Sequence, residues 1–342
     1  MNDHAVVFPR ITRKSRHVSM AMLVLPVAIL GCRPENRSTS NAETKSASAT
    51  DELADRRTGR DGTDSTVTIS PHVPEEWEHA MPHDSFTPST TNTPISNEGV
   101  TVTLPEADEE RAMAFAMIAR LRAKAGKHEA AIEGFDEAIG LMEGNPSWYS
   151  DRGDSWFELG EHQKAIADYS RAIGIAPDDP FTYCLRGDAW LVLGENDKAL
   201  QDHNRAVELA PDDAYYYYSR SFVYEDMRED GRILSDLNRA VELEPDDPEY
   251  RDVLANYLAS SPSDSVRDGE AAVAHAKIAC ELTDWEDPLH ISTLAKGYAE
   301  TGDFQRAVQK IRDAMKLLPD HTDAEILESY QLLLKLFESN RP

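Results

Sequence analysis

The glycines Gly126, Gly160 and Gly194 stand 34 residues apart, and other residue types return at the same interval. Ala131, Ala165 and Ala199 recur, with Ile233 at the next step, as do Ala138, Ala172, Ala206 and Ala240, and Pro177, Pro211 and Pro245. Each proline removes a backbone donor and disfavours helix at the residue before it, so each closes a helix. Each glycine ends the preceding helix of its unit. A unit of this length is two helices and a turn, and it contacts only its neighbours. The 342 residues therefore do not translate into a count of ordinary globular domains.

From Ser147 to Pro177, the residues Tyr149, Gly153, Trp156, Ala165, Tyr169, Ala172 and Pro177 fall in the pattern of the tetratricopeptide repeat, which this stretch resembles. The next unit matches through Tyr183, Gly187, Trp190, Ala199, Ala206 and Pro211, with His203 in place of the second-helix aromatic. The one after diverges: Ser221 stands for glycine, Arg228 for the turn glycine and Leu237 for the aromatic. A last clear unit carries Ala295, Tyr298, Gly302, Ala307, Ala314 and Pro319. The resemblance implies an all-α fold, a right-handed superhelical solenoid of antiparallel helix pairs, spanning residues 106–321. Its six units are 112–145, 146–179, 180–213, 214–247, 248–287 and 288–321, the fifth with an insertion around Ser260 to Asp268. Small residues at the alanine positions let two helices approach closely while aromatics fill the space beside them. Over 322–342, Ile326, Leu327, Tyr330, Leu333, Leu334 and Phe337 form the stripe of an amphipathic helix, expected to cap the open end of the array.

The N-terminus is of another kind. Arg10, Arg13, Lys14 and Arg16 precede an apolar run from Val18 to Leu30, which is too short for a hydrocarbon core needing about 20 residues and is interrupted by Pro26. Residues 1–31 read as an export signal. Ile29-Leu30-Gly31-Cys32 resembles the bacterial lipobox, which implies lipidation of Cys32 and a membrane-anchored protein facing the periplasm. The alternative is a cytoplasmic chain with a misread start. Residues 32–105 are rich in Ser, Thr, Asn, Pro and charge, without sustained periodicity, and read as a disordered tether. Trp77, Met81 and Phe86 could instead mark a docking segment within it.

The net charge of −27 excludes the basic stripe that a nucleic-acid binder needs and points to a neutral or basic protein or peptide as partner. The cysteines Cys32, Cys184 and Cys280 lie far apart with no metal-ligand spacing, so no metal site is expected. No histidine stands in a catalytic motif and there is no phosphate-binding loop, so neither enzyme activity nor a cofactor is expected. Asp178-Asp179, Asp212-Asp213 and Asp246-Asp247 each follow a closing proline, where a carboxylate caps the next helix.

One charge pattern is specific to the three middle units. Arg152, Arg186 and Arg220 occupy one first-helix position, and Asp168, Asp202 and Asp236 occupy one second-helix position. The equivalent pairs elsewhere are Ile118 with Gly134, Leu254 with His275, and Leu294 with Lys310. Arginine and aspartate thus occur together or not at all, which predicts an Arg–Asp bridge within each middle unit. An arginine ladder for an acidic ligand is the alternative.

The family resemblance implies a concave face lined by first helices. Carried over, it names Ser150, Asp154 and Phe157, then Phe181, Cys184, Asp188 and Leu191, then Tyr215, Tyr218, Phe222 and Glu225 as partner-binding candidates. Such an acidic, aromatic groove suits a peptide with basic and apolar side chains. The other reading of several of these residues is packing against neighbouring helices. Family members that clamp a peptide carboxylate use lysine and asparagine at the positions of Ser150 and Asp154, and neither is present here. The expected function is a non-catalytic protein-interaction scaffold. The alternatives are a self-assembling oligomer built through the last helix and a regulatory subunit of an envelope enzyme or secretion complex.

Overall fold

A computed structural model describes residues 66–69, 100–103, 107–319 and 321–340. Cys32, the export signal and most of the expected tether lie outside them. Within the tether, Thr66–Ile69 (β1) pairs with Val100–Thr103 (β2) as an antiparallel ribbon, in register from Thr66 opposite Thr103 to Ile69 opposite Val100. The alternating β-branched residues of both segments favour extended backbone, but runs of four are too short to stand out as a period.

The remaining described elements are helices: α1 Asp108–Lys124, α2 His128–Leu141, α3 Pro146–Glu158, α4 His162–Ile175, α5 Pro180–Val192, α6 Asn196–Leu209, α7 Ala214–Asp226, α8 Asp230–Leu243, α9 Pro248–Ser260, α10 Gly269–Leu282, α11 Pro288–Glu300, α12 Phe304–Leu317 and α13 Ala324–Ser339. The starts of α3, α5, α7 and α9 repeat the 34-residue interval of the sequence. The array is an all-α succession of helix pairs, and the chain divides into two compact units, one ending at Ser155 and one running from Trp156.

In the first unit α1 packs on α2. There a Cβ at Gly134 would lie 2.9 Å from Ala119 Cβ, so this crossing admits nothing larger than glycine. In the second unit α5 packs on α6, α7 on α8, α9 on α10 and α11 on α12, and consecutive pairs join through α4 with α5, α6 with α7 and α10 with α11. The repeated alanines are the contact points: Ala165, Ala199, Ala206 and Ala240 are fully buried. Beside them Tyr169, Leu237 and His203 fill the second-helix aromatic position, none more than 2% exposed.

Turns and caps follow local chemistry. Gly126, Gly160, Gly194 and Gly302 all take φ between 71° and 79°, the left-handed conformation that closes a helix. Arg228 holds the same place at φ 56°, a conformation costing a residue with a Cβ about 1 kcal/mol. Of each expected acidic pair, the second member is the cap. Asp179 accepts from the Phe181 amide, Asp213 from that of Tyr215, and Asp247 from those of Glu249 and Tyr250. The insertion in the fifth pair is a loop between α9 and α10, pinned by the Asp268 amide donating to the Leu258 carbonyl. At the far end α13 docks on α12 through buried Tyr330 and Phe337 with Leu333 and Leu334 beside them. Ile326 and Leu327, expected in the packed stripe, are 37% exposed, because the first turn of α13 lies beyond the surface that the last pair offers.

Two of the three predicted bridges lie wholly within the second unit, and both are bidentate. Arg186 Nε and Nη2 reach the two oxygens of Asp202 at 2.8 Å each, and Arg220 meets Asp236 with the same pair of distances. The third nitrogen of each fork turns to the preceding second helix, Arg186 to Ser170 at 3.0 Å and Arg220 to Asn204 at 2.9 Å. Arg152 makes the equivalent backward contact, to Asp136 at 2.5 Å, and Asp168 is buried. Arg186 and Arg220 therefore each tie their own pair and the second helix of the pair before it.

Removing one partner of such a bridge leaves a charge stranded. Asp236→Ala is expected to destabilise the fold by about 3 kcal/mol, and Arg220→Met with Asp236→Leu to recover most of that loss. Urea unfolding followed by circular dichroism measures both. A shift for Asp236→Ala no larger than that for the exposed, non-capping Asp246→Ala would remove the bridge from the account.

Candidate functional site

Of the partner-binding candidates, Ser150 and Asp154 belong to the first compact unit and the others to the second. Ser150 is half-buried and spends its hydroxyl on the Pro146 and Ser147 carbonyls at 3.2 Å. Phe157 is half-buried with its ring edge-on to His162 at 4.9 Å.

In the second unit the first helices α5 and α7 lie side by side, as do α9 and α11, and this face corrects the expected groove. Asp188, Leu191, Tyr215 and Tyr218 are 4%, 9%, 3% and 0% exposed, so none of the four offers a surface to a partner. The close approach of successive pairs draws them into the core. Tyr218 packs its ring on Tyr250 at 5.2 Å and donates its hydroxyl to Glu249 at 3.1 Å, while Tyr215 meets Tyr216 edge-on at 5.4 Å. Phe181 and Phe222 remain half-exposed and Glu225 is exposed. Phe222 stands edge-on to Tyr218 at 5.0 Å, which fixes the orientation of its ring.

The face continues past Glu225. Asp252 and Asn256 repeat the positions of Cys184 and Asp188 two units on. Lys296, at the matching position of α11, donates to Asn256 Oδ1 at 2.8 Å. Asp252 is buried; desolvation raises its carboxyl above the usual range, opposed by His290, Thr293 and Lys296. Burial also lowers the Lys296 ammonium, against the pull of Asp252. The signal for this group was the same 34-residue register, read through the insertion.

A second cluster was invisible in sequence. Cys184 and Asp188, one turn apart on α5, meet His203 of α6. The His203 ring is fully buried against Gly187, where a Cβ would lie 2.8 Å from Nε2. Its Nδ1 is 3.7 Å from Cys184 Sγ and its Nε2 is 3.3 Å from Asp188 Oδ1. Burial works to lower the His203 pKa, but Cys184 and Asp188 overcome it and push it up to about 10. Among the described residues this is the one group of three metal-ligating side chains whose donor atoms all lie within 4.8 Å of one another. The buried thiol of Cys280 is pushed up to about 12, chiefly by burial.

Since the folded His203 binds its proton more tightly than the ordinary value of 6.5, the imidazolium favours the folded state. That contribution is complete below pH 6.5 and is lost as pH rises toward about 10. With chelator present, the thermal midpoint is expected to fall more steeply across this range in the wild type than in His203→Tyr. Parallel pH profiles for the two proteins would count against a charged His203.

Residues 116–180 match the family model described as tetratricopeptide repeat. No curated protein matches the chain. Among solved structures, that reported as the functional characterization of Pseudomonas aeruginosa pilF is similar at a TM-score of 0.54 and 13% identity, over 68% of this chain and 99% of that one. The anaphase-promoting complex hetero-tetramer Cut9-Hcn1 is similar at 0.51 and 15%, over 66% of this chain and 42% of that one. YrrB, described as a TPR protein with an unusual peptide-binding site, aligns at 0.45 and 19%, over 61% of this chain and 99% of that one. The chain thus carries a tetratricopeptide-repeat match over residues 116–180 within an all-α array of repeated helix pairs.

Proposed function

We propose that this protein is a non-catalytic interaction scaffold that holds a basic, partly apolar peptide segment of another protein against the first helices of its middle pairs. One observation carries the reading: Phe222, held edge-on by the buried Tyr218, stands half-exposed one turn before the exposed Glu225. An aromatic anchor beside a carboxylate fits an apolar side chain next to a lysine or arginine. The net charge of −27 adds long-range attraction for such a segment.

A photo-crosslinking amino acid at Phe222 is expected to capture a partner protein, whereas the same group at Asn238 on α8 is not. Glu225→Lys should weaken the captured interaction by about tenfold or more, with a smaller effect at high salt. Equal capture from both positions would overturn the assignment of the face. Capture of a second copy of the chain would favour self-assembly instead, a reading that rests on the exposed Ile326, Leu327 and Leu332 of α13.

The N-terminal sequence supports export and lipid attachment at Cys32 as the way this scaffold is held at a membrane facing the periplasm. Fatty-acid labelling is expected to mark the wild type and to be lost in Cys32→Ser, which should also leave the membrane fraction. Unchanged fractionation of that variant would remove the anchor.

A further inference from the structure

The Cys184–Asp188–His203 cluster contributes nothing to the face proposed for partner binding, and its composition is unusual for a core. His203 occupies the second-helix position that Phe135, Tyr169 and Leu237 fill in other pairs with ring or aliphatic carbon. A polar ring there brings two nitrogens into a site with no solvent, facing a thiol on one side and a carboxylate on the other. We propose that Cys184, Asp188 and His203 form a zinc-binding site that fastens α5 to α6.

The first support is the spacing on α5. Positions i and i+4 place two donors on one helix face, and the third comes from the helix packed against it. The second is geometric. Around four-coordinate zinc with Zn–N and Zn–O near 2.1 Å, neighbouring donors lie roughly 3.4 Å apart, and a sulfur donor roughly 3.6 Å from a nitrogen. Sγ stands 3.7 Å from Nδ1, the separation of a sulfur and a nitrogen donor around one ion, while the Asp188 carboxylate faces the other ring nitrogen, Oδ1 lying 3.3 Å from Nε2, and has to swing toward the shared ion. One ion takes one ring nitrogen, so the three donors, now within 4.8 Å of one another, close by roughly 1 Å on binding.

Charge selects the ion. A thiolate and a carboxylate buried together require two positive charges, which a divalent ion supplies and a neutral imidazole tolerates. The thiolate, imidazole and carboxylate set suits zinc rather than a hard cation such as magnesium or calcium. The Tyr215 hydroxyl lies 3.9 Å from Sγ and would link α7 to the same centre. Zinc takes the thiolate and the neutral imidazole, so uptake releases to solvent whatever protons these ligand atoms carry.

The test uses the full chain, refolded from denaturant with zinc or cobalt so that the closed site is reached. After dialysis the wild type is expected to retain one ion per chain, and the cobalt form to show thiolate-to-cobalt charge-transfer absorption. Cys280→Ser should keep that band and Cys184→Ser should lose it. His203→Tyr restores the residue type found at Tyr169, so it should fold with unchanged helicity and retain no ion. Calorimetry in buffers of different ionisation enthalpy reads the proton release. If the refolded wild type holds no more metal than folded His203→Tyr, the cluster is a core ion pair alone and the proposal fails.

Discussion

Close approach of paired helices at the alanine positions is the contact on which everything else in the array depends. Ala165, Ala199, Ala206 and Ala240 are without solvent exposure, and each sits where a larger side chain would hold two helices apart. The neighbouring large residue of each pair then fills the gap that the small one leaves. That division of labour fixes the distance between helices, and hence where every other position of the unit faces. Because the same spacing recurs, a residue at a given register position meets the same structural surroundings in each pair. Differences between pairs then become interpretable as chemistry.

The bridges in the middle pairs illustrate this. Arg186 and Arg220 use two nitrogens on an aspartate of their own pair and one on the second helix of the pair before. A guanidinium does this because its donors lie in one plane in a fixed fork, which a lysine could not reproduce. The result joins neighbours as well as partners, in a fold where each pair touches only the next. Beyond Asp236 the tie ends, and Leu254 and Leu294 return the same first-helix position to buried aliphatic packing.

His203 departs from the pattern in the opposite sense. A histidine placed where its neighbours have aromatic or aliphatic carbon breaks a local rule at a buried position, and the surroundings answer it. Gly187 makes room for the ring, Asp188 faces one nitrogen and Cys184 the other. A burial cost met by several coordinated residues marks a position with a task beyond packing. The first-helix face shows the converse at Tyr215 and Tyr218: polar aromatic residues that suit a binding surface are here consumed by the core, leaving Phe222 and Glu225 at the surface.

The sequence by itself determined the period, the helix pairs, the glycine turns, a carboxylate cap from each acidic pair and the Arg–Asp bridges of Arg186 and Arg220, because all of these depend on local chemistry repeated at a fixed interval. It did not reveal the short ribbon of Thr66–Ile69 with Val100–Thr103, whose pairing spans a long separation with few residues. Nor could it decide which first-helix residues stay exposed. Spacing places Tyr218 and Phe222 on one helical face, yet only the packing of the next pair buries the first and leaves the second half-open. The convergence of Cys184, Asp188 and His203 was likewise a tertiary outcome. Three unlike residues, each at a different register position, carry no periodic signal until two helices bring them within reach of one another.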